Sequence, residues 1–208
     1  MHPAIQRTQE LKDLISRVYP EELLLSAHHN LATFLSCSIL TTRNDTVAEI
    51  NKKVLNQLQG PVTEFLSADT LQDAETGDGR DLKITPELLQ SFDIGSLPPA
   101  KLCLKRGAPI ILLRNLYPER GLCNGTRLVV LGIGRNILEC KILGGSFDGS
   151  VQLIPRINIC SNEGDLAFVI KRHQFPVRLC FAMTINKSQG QSFTTNSVDL
   201  RNPIFIYN

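Results

Sequence analysis

The hydrophobic texture of the chain changes abruptly twice, and this narrows the fold more than any other feature. Residues 36–58 read as one strand–turn–helix unit. The β-prone run SCSILTTRND is followed by TVAEINKKVLNQL, where Val47, Ile50, Val54, Leu55 and Leu58 recur at helical spacing. After Pro99 the pattern switches. APIILLRNL, TRLVVLGIG, ILECKIL, SVQLIPR and LAFVIKR are short apolar runs set off by Asn124-Gly125, Gly144-Gly145 and Asp148-Gly149, dipeptides that favour tight turns. About five short strands with no helix between them predict a small antiparallel barrel. PVRLCFAMTI then reads as an apolar strand, NKSQGQSF as a polar turn that can open a helix, and SVDL as another strand. An inserted barrel inside an α/β layer explains that order most simply.

The remaining segments follow from local signals. Residues 8–25 predict a helix with Leu11, Leu14, Ile15 and Val18 on one stripe and a break at Pro20. Asn44, Asp45 or Thr46 can cap the next helix, and Thr46 with Glu49 fits a capping box. Gln59-Gly60-Pro61 ends it. SADTLQDAETGDGRDLKITPELLQSFDIGSLPP is acidic and punctuated by Gly and Pro, so it predicts a long surface loop with one short helix near Pro86 to Phe92. The expected domains are a helical lead-in (1–35), an α/β domain made of 36–96 and 172–208, and an inserted β-barrel (97–171).

Net charge is only +2, but it is unevenly distributed. Glu64 to Asp93 holds eight acids against two bases, whereas Lys101 to Arg135 holds seven bases against one acid. Leu166 to Val198 carries Lys171, Arg172, Arg178 and Lys187 with no acid. Such asymmetry fits a polyanion-binding face beside an acidic segment, and it equally fits a set of solvated surfaces. Trp is absent and aromatics are 6%, which argues against a surface built mainly from stacking rings. No apolar run is long enough for a transmembrane helix, and the first residues lack the apolar run of a secretory signal, so no membrane partner and an intracellular location are expected. Cys37, Cys103, Cys123, Cys140, Cys160 and Cys180 lie too far apart in sequence for a zinc-type pair and read as buried reduced thiols, so no metal site is expected. His28-His29 and His173 have no partner at ligand spacing and read as surface or lead-in residues.

FAMTINKSQGQSF is the stretch richest in chemistry. Thr184, Asn186, Lys187 and Ser188 put hydroxyls, an amide and an ammonium where a strand meets a helix start, and these groups with free backbone amides suit phosphate oxygens. An ordinary polar strand-to-helix turn is the competing reading. In the predicted barrel, Asn124-Gly125 is first of all a turn; Arg114 and Arg127, at strand ends, are candidate phosphate contacts, with Asn115 beside them.

The Lys-Ser-Gln-Gly core at 187–190 resembles a motif of superfamily-one helicases of the RecD and Pif type. LKRGAPIILLRNLYPERGLCNGTRLVV resembles the accessory-domain stretch of Pif-family helicases, including those of Helitron transposons. SCSILTTRNDTVAEIN is similar to the motif opening their second motor domain, and RHQFPVRLCFAMTINKSQG keeps the family's lead-in. The four segments stand in family order. The resemblance implies a RecA-like second motor domain with an inserted Src-homology-type barrel, in an ATP-driven 5′-to-3′ DNA helicase. It implies the family's roles in DNA repair, recombination and telomere maintenance, hence a nuclear setting. It also implies DNA contacts by Thr184, Asn186, Lys187 and Ser188, with Arg114 and Arg127 as further candidates, and a nucleotide-cleft position for Gln189, Gly190, Gln191, Thr42, Arg43 and Asn44.

Two parts of the family pattern are missing from these residues. No Gly-rich loop ending in Gly-Lys-Ser or Gly-Lys-Thr occurs, and VDLRNPIFIYN is not followed by an Ala-Leu-Ser-Arg motif. Gly132-Ile133-Gly134 lies in a β context with no following helix. ATP and magnesium are therefore not expected to bind tightly here, and the residues alone are expected to hydrolyse no ATP. The expectation is a fragment or degenerate copy of a helicase, with single-stranded DNA and a complementary N-terminal motor half as partners. The alternatives are a non-catalytic single-stranded DNA-binding module and a protein-interaction module built on the barrel.

Overall fold

The computed structural model describes residues 10–25, 34, 37–72, 85–162, 164–189, 191 and 195–201. The chain divides into two compact units, one formed by Met1–Gln59 with Cys180–Asn208 and the other by Gly60–Leu179. The expected helix near the start is α1 (Leu11–Val18), followed after Pro20 by α2 (Glu21–Leu25). No helix among the described residues is long and apolar enough to cross a membrane.

In the first unit β1 (Cys37–Thr41) is the central strand of a parallel sheet, between β12 (Ala182–Thr184) and β13 (Thr195–Asp199). Four of the five β1 residues are buried, the near-continuous burial that a parallel strand covered on both faces requires. Helix α3 (Asn44–Gln57) follows β1 and turns Ile50, Val54 and Leu55 inward, as its 3.6-residue spacing predicts. Asn51 also sits on that buried face. Its Nδ2 donates to the Ala182 carbonyl at 3.2 Å and its Oδ1 accepts from Ala182 N–H at 2.9 Å, so one amide clamps α3 to β12. Tyr19 closes the other side: its hydroxyl donates to the Phe181 carbonyl at 2.6 Å, and its ring meets Phe181 edge-on. The capping box does not form. The helix starts at Asn44, Asp45 Oδ1 accepts from Thr46 N–H at 2.6 Å, and Glu49 pairs with Lys53 instead.

The second unit is built of antiparallel strands. β5 (Pro109–Leu112), β6 (Arg127–Ile133), β7 (Ile137–Leu143), β8 (Val151–Pro155) and β11 (Val177–Leu179) form a five-stranded sheet in the order β11-β5-β6-β7-β8. β2 (Thr63–Leu66) pairs with β4 (Lys101–Leu104), and Phe65, Leu102 and Leu104 join Ile110, Leu128, Val130, Leu138 and Phe175 in one core. A second sheet, β3 (Ala68–Gln72), β10 (Val169–Gln174) and β9 (Ile157–Cys160), lies over α4 (Pro86–Ser91), with Leu89, Leu97, Ile159 and Ile170 as its core.

Four further expectations need correction. The acidic stretch after Ser67 is not all loop. Ala68–Gln72 is a strand paired with β10, and its inward position is Asp69, held by the fully buried Arg172. LAFVIKR does not join the five-stranded sheet, because β10 pairs with β3 and β9. PVRLCFAMTI is not one strand either: β11 pairs with β5 in the second unit, whereas β12 pairs with β1 in the first. The unit boundaries therefore fall at 59/60 and 179/180, outside the expected 96/97 and 171/172, because β2, β3 and α4 pack with the antiparallel strands.

Candidate nucleic-acid interface

The three parallel strands of the first unit stop in one row. Thr41 is in register with Thr184 on one side and with Asp199 on the other. Side chains leaving this row stand at the C-terminal edge of a parallel sheet, where α/β folds place their ligands. Neighbouring strands lie about 4.8 Å apart, so the row spans about 10 Å.

From Thr184 the chain enters a 3-10 turn, Ile185–Ser188, rather than an α-helix. Ser188 Oγ donates to the Ile185 carbonyl at 2.7 Å, and Gln191 N–H donates to the Ser188 carbonyl at 3.0 Å, which tie the turn to itself. Asn186, Lys187 and Gln189 are exposed, and Thr184 and Ser188 are half-buried. An amide, an ammonium and the Thr184 hydroxyl thus share one short turn, a donor set suited to backbone phosphates, while the Ser188 hydroxyl is used within the turn. Gln191 is half-buried beside them, and Gly190 lies outside the described residues.

At the exit of β1, Arg43 is exposed and clasps Asp45, with Nε and Nη2 on its carboxylate at 2.7–3.2 Å. That hydrogen bonding holds the Arg43 pKa above and the Asp45 pKa below their ordinary values. Asn44 is the first helical residue of α3. Thr42 Oγ1 is buried with no hydrogen-bond partner among the described residues. Beside this edge Asp199, 3% exposed, accepts from Arg201 Nε and Nη2 at 2.7–3.1 Å and from its backbone N–H at 3.1 Å. Burial pushes the Asp199 carboxyl up, but the bonds and charge of Arg201 outweigh it and hold the pKa below the ordinary value. Arg201 also reaches Glu49 of α3 at 3.7 Å. Asp199 and Arg201 escaped the sequence reading, although an acid ending the strand SVDL was a visible signal.

The second unit offers less than its basic stretches promised. Arg114 donates through Nη2 to the Ser96 and Cys160 carbonyls, each at 3.3 Å, and Arg127 is only 6% exposed. Arg114, half-buried, thus braces the second unit through one guanidinium nitrogen, and Arg127 lies inside it. Arg172 is buried on Asp69, and Arg178 donates to the Ile94 and Leu97 carbonyls at 3.0 and 2.6 Å. Two of the four bases between Leu166 and Val198 are thus internal braces. Asn124-Gly125 is the turn it was first read as: Gly125 has φ +89°, and Asn115 Oδ1 accepts from Asn124 N–H at 2.7 Å. The aromatic-Pro lead-in is also structural, since Gln174 donates to the Phe65 and Ala100 carbonyls and Phe175 meets Phe65 edge-on. His173 hydrogen-bonds Asn158 across β9 and β10, and His28-His29 lie outside the described residues. Of the cysteines, Cys37, Cys140 and Cys180 are buried, whereas Cys103, Cys123 and Cys160 are only partly so. No group of three His, Cys, Asp or Glu that could hold a metal ion occurs among the described residues.

Residues 87–133 match the family model described as DNA helicase Pif1, 2B domain. The ATP-dependent DNA helicase PIF1 of Homo sapiens is 32% identical over 164 residues, covering 77% of this chain and 23% of that protein. That of Danio rerio is 30% identical over 188 residues, covering 86% and 26%. The chain thus spans about a quarter of the length of these relatives. Among solved structures, the Pif1 helicase from Candida albicans superposes with a TM-score of 0.61 at 22% identity, over 90% of this chain and 50% of that one. Bacteroides Pif1 bound to ssDNA gives 0.56 at 18% identity, over 80% and 35%. At these identities the superpositions establish shared fold.

Proposed function

Since the chain belongs to the Pif1 family of DNA helicases, we propose that it acts as the RecA-like second motor domain of such a helicase, carrying an inserted Src-homology-type barrel, and that it grips single-stranded DNA at the strand exits of its parallel sheet. The observation that carries this reading is the shared register of Thr41, Thr184 and Asp199, with the Thr184–Ser188 turn rising from the row. Thr184, Asn186 and Lys187 donate to the DNA backbone, and Ser188, whose hydroxyl donates to the Ile185 carbonyl, holds the turn that meets it. Gln189 and Gln191, with Thr42, Arg43 and Asn44, form one wall of the nucleotide cleft. A complementary motor half supplies the opposite wall and the phosphate loop, and the assembly moves 5′ to 3′ in the nucleus.

Magnesium–ATP does not fit a site made from these residues alone. The 208 residues contain no Gly-Lys-Ser or Gly-Lys-Thr loop. Their part in hydrolysis is positional: a fixed row of strand ends lets a change at the cleft pull on the DNA-bound turn, since both hang from the same sheet edge.

The test is a salt titration of single-stranded DNA binding by fluorescence anisotropy. Affinity should fall steeply from low to physiological salt, and Lys187→Ala should weaken binding and flatten the log–log slope by about 0.7, one phosphate contact on a single strand. An unchanged slope and affinity would remove Lys187 from the DNA site.

A further inference from the structure

The loop joining β5 to β6 is densely braced for a surface loop. Leu116 and Tyr117 N–H both donate to the Leu122 carbonyl, and Leu122 N–H returns to the Tyr117 carbonyl at 3.0 Å. Arg120 N–H bonds the Tyr117 carbonyl, Gly121 N–H bonds the Pro118 carbonyl, and Thr126 Oγ1 bonds both the Gly121 carbonyl and Cys123 N–H. Leu122, 1% exposed, pins the loop into the core. Such a loop holds whatever it presents in one place.

It presents an aromatic ring to solvent. Tyr117 is 47% exposed, and the Arg120 guanidinium carbon lies 5.7 Å from its ring centroid. A second ring packs against Gly121 of this loop from the loop between β7 and β8. Phe147, 41% exposed, packs so closely on Gly121 that a Cβ there would stand 2.6 Å from its ring. Gly121 also has φ +78°, so only glycine gives Phe147 this seat without strain. Two half-exposed rings and a guanidinium thus share one rigid mount.

Scattered exposed apolar residues are ordinary. Two exposed rings, one carried by a braced loop and one packed against that loop, with an arginine over the first, are an arrangement on which unpaired bases can lie, because every base offers a π-face and the guanidinium answers both ring and phosphate. Of the seven bases from Lys101 to Arg135, Lys101, Arg106, Arg120 and Arg135 are exposed against the single acid of that stretch, Glu119, which favours a polyanion over an acidic or neutral peptide. The low aromatic content rules against an extended stacking surface but not against a two-ring platform.

We propose that Tyr117 and Phe147, flanked by Arg120, form a stacking platform for one or two unpaired bases of single-stranded DNA. The proposal rests on the reading that this chain binds single strands, and it adds a base-contacting point to a backbone grip.

The experiment compares an oligothymidine of about ten nucleotides with an abasic oligomer of equal length and charge, titrated against the full chain. The wild-type protein should bind the base-bearing strand about tenfold tighter. Tyr117→Leu with Phe147→Leu should bring that ratio towards one while leaving the salt slope unchanged, and Tyr117→Phe should restore it. A ratio of one in the wild type, or a full ratio in the double variant, overturns the platform but leaves the backbone grip standing. Failure to bind either oligomer overturns both.

Discussion

Replacing Asp69 with Ala should cost the second unit more than any surface substitution. Arg172 and Asp69 are 1% and 0% exposed at their side chains. Arg172 Nε lies 3.1 and 3.0 Å from the two carboxylate oxygens and Nη2 lies 2.7 Å from one of them. Nη1 donates to the Pro98 carbonyl at 2.9 Å and Nη2 to the Leu89 carbonyl at 3.2 Å. One guanidinium therefore ties β10 to β3, to α4 and to the segment after it. Removing the carboxylate leaves a buried cation with two carbonyls and no counter-charge, a loss of about 3–5 kcal/mol. Asp69→Leu combined with Arg172→Met removes both charges and should cost less than the sum of the two singles. Urea unfolding followed by circular dichroism reads this directly. With a slope of about 2 kcal/mol per molar, the midpoint of Asp69→Ala should fall by about 2 M. A loss within about 1 kcal/mol, or strictly additive single variants, would refute the coupling.

Asn51→Ala should destabilise the first unit by about 1–3 kcal/mol in thermal unfolding, because it strands the buried Ala182 N–H and carbonyl; a negligible change would show that the clamp is dispensable. The Asp199 pKa is lowered on folding, so its contribution is present above the ordinary value of 3.8 and is lost as pH falls through the folded value. The wild-type unfolding midpoint should therefore drop more steeply below about pH 4 than that of Asp199→Asn, and parallel curves would contradict this. Burial first, and the neighbouring Glu139 charge second, push the Cys140 thiol up to about 12. Iodoacetamide at pH 8.5 should leave Cys140 unmodified in the folded chain and alkylate it in urea; labelling under native conditions would place it near the surface.

The parallel arm of the fold was legible because its sequence agrees with its burial. β1 is a β-prone run buried along almost its whole length, Ser38 and Thr41 included, and α1 and α3 show their stripes at Leu11, Ile15 and Val18 and at Ile50, Val54 and Leu55. β3 was not, because Asp69 occupies the inward position where an apolar residue would have revealed the alternation. Arg172 and Arg178 misled in the same way: a run of bases without acids reads as a surface, yet their partners are Asp69 and backbone carbonyls far away in sequence. The crossing between units was invisible because Val177–Leu179 and Ala182–Thr184 are equally apolar, and periodicity cannot say which sheet accepts each half. In the candidate site, the Thr184–Ser188 turn was legible as a polar stretch after a strand. The row it belongs to was not, since register between Thr41, Thr184 and Asp199 is a long-range property.

The central claim is that single-stranded DNA lies on the strand exits of the parallel sheet. Photo-crosslinking a thymidine oligomer carrying 4-thiothymidine to the full chain, followed by peptide mapping, tests it most directly. Adducts should map to the peptide holding Thr184, Asn186, Lys187 and Ser188 and should be competed away by unlabelled single strands. Adducts confined to other peptides, for example the exposed outer face of β7 and β8 at Ile137 and Leu153, would contradict the account.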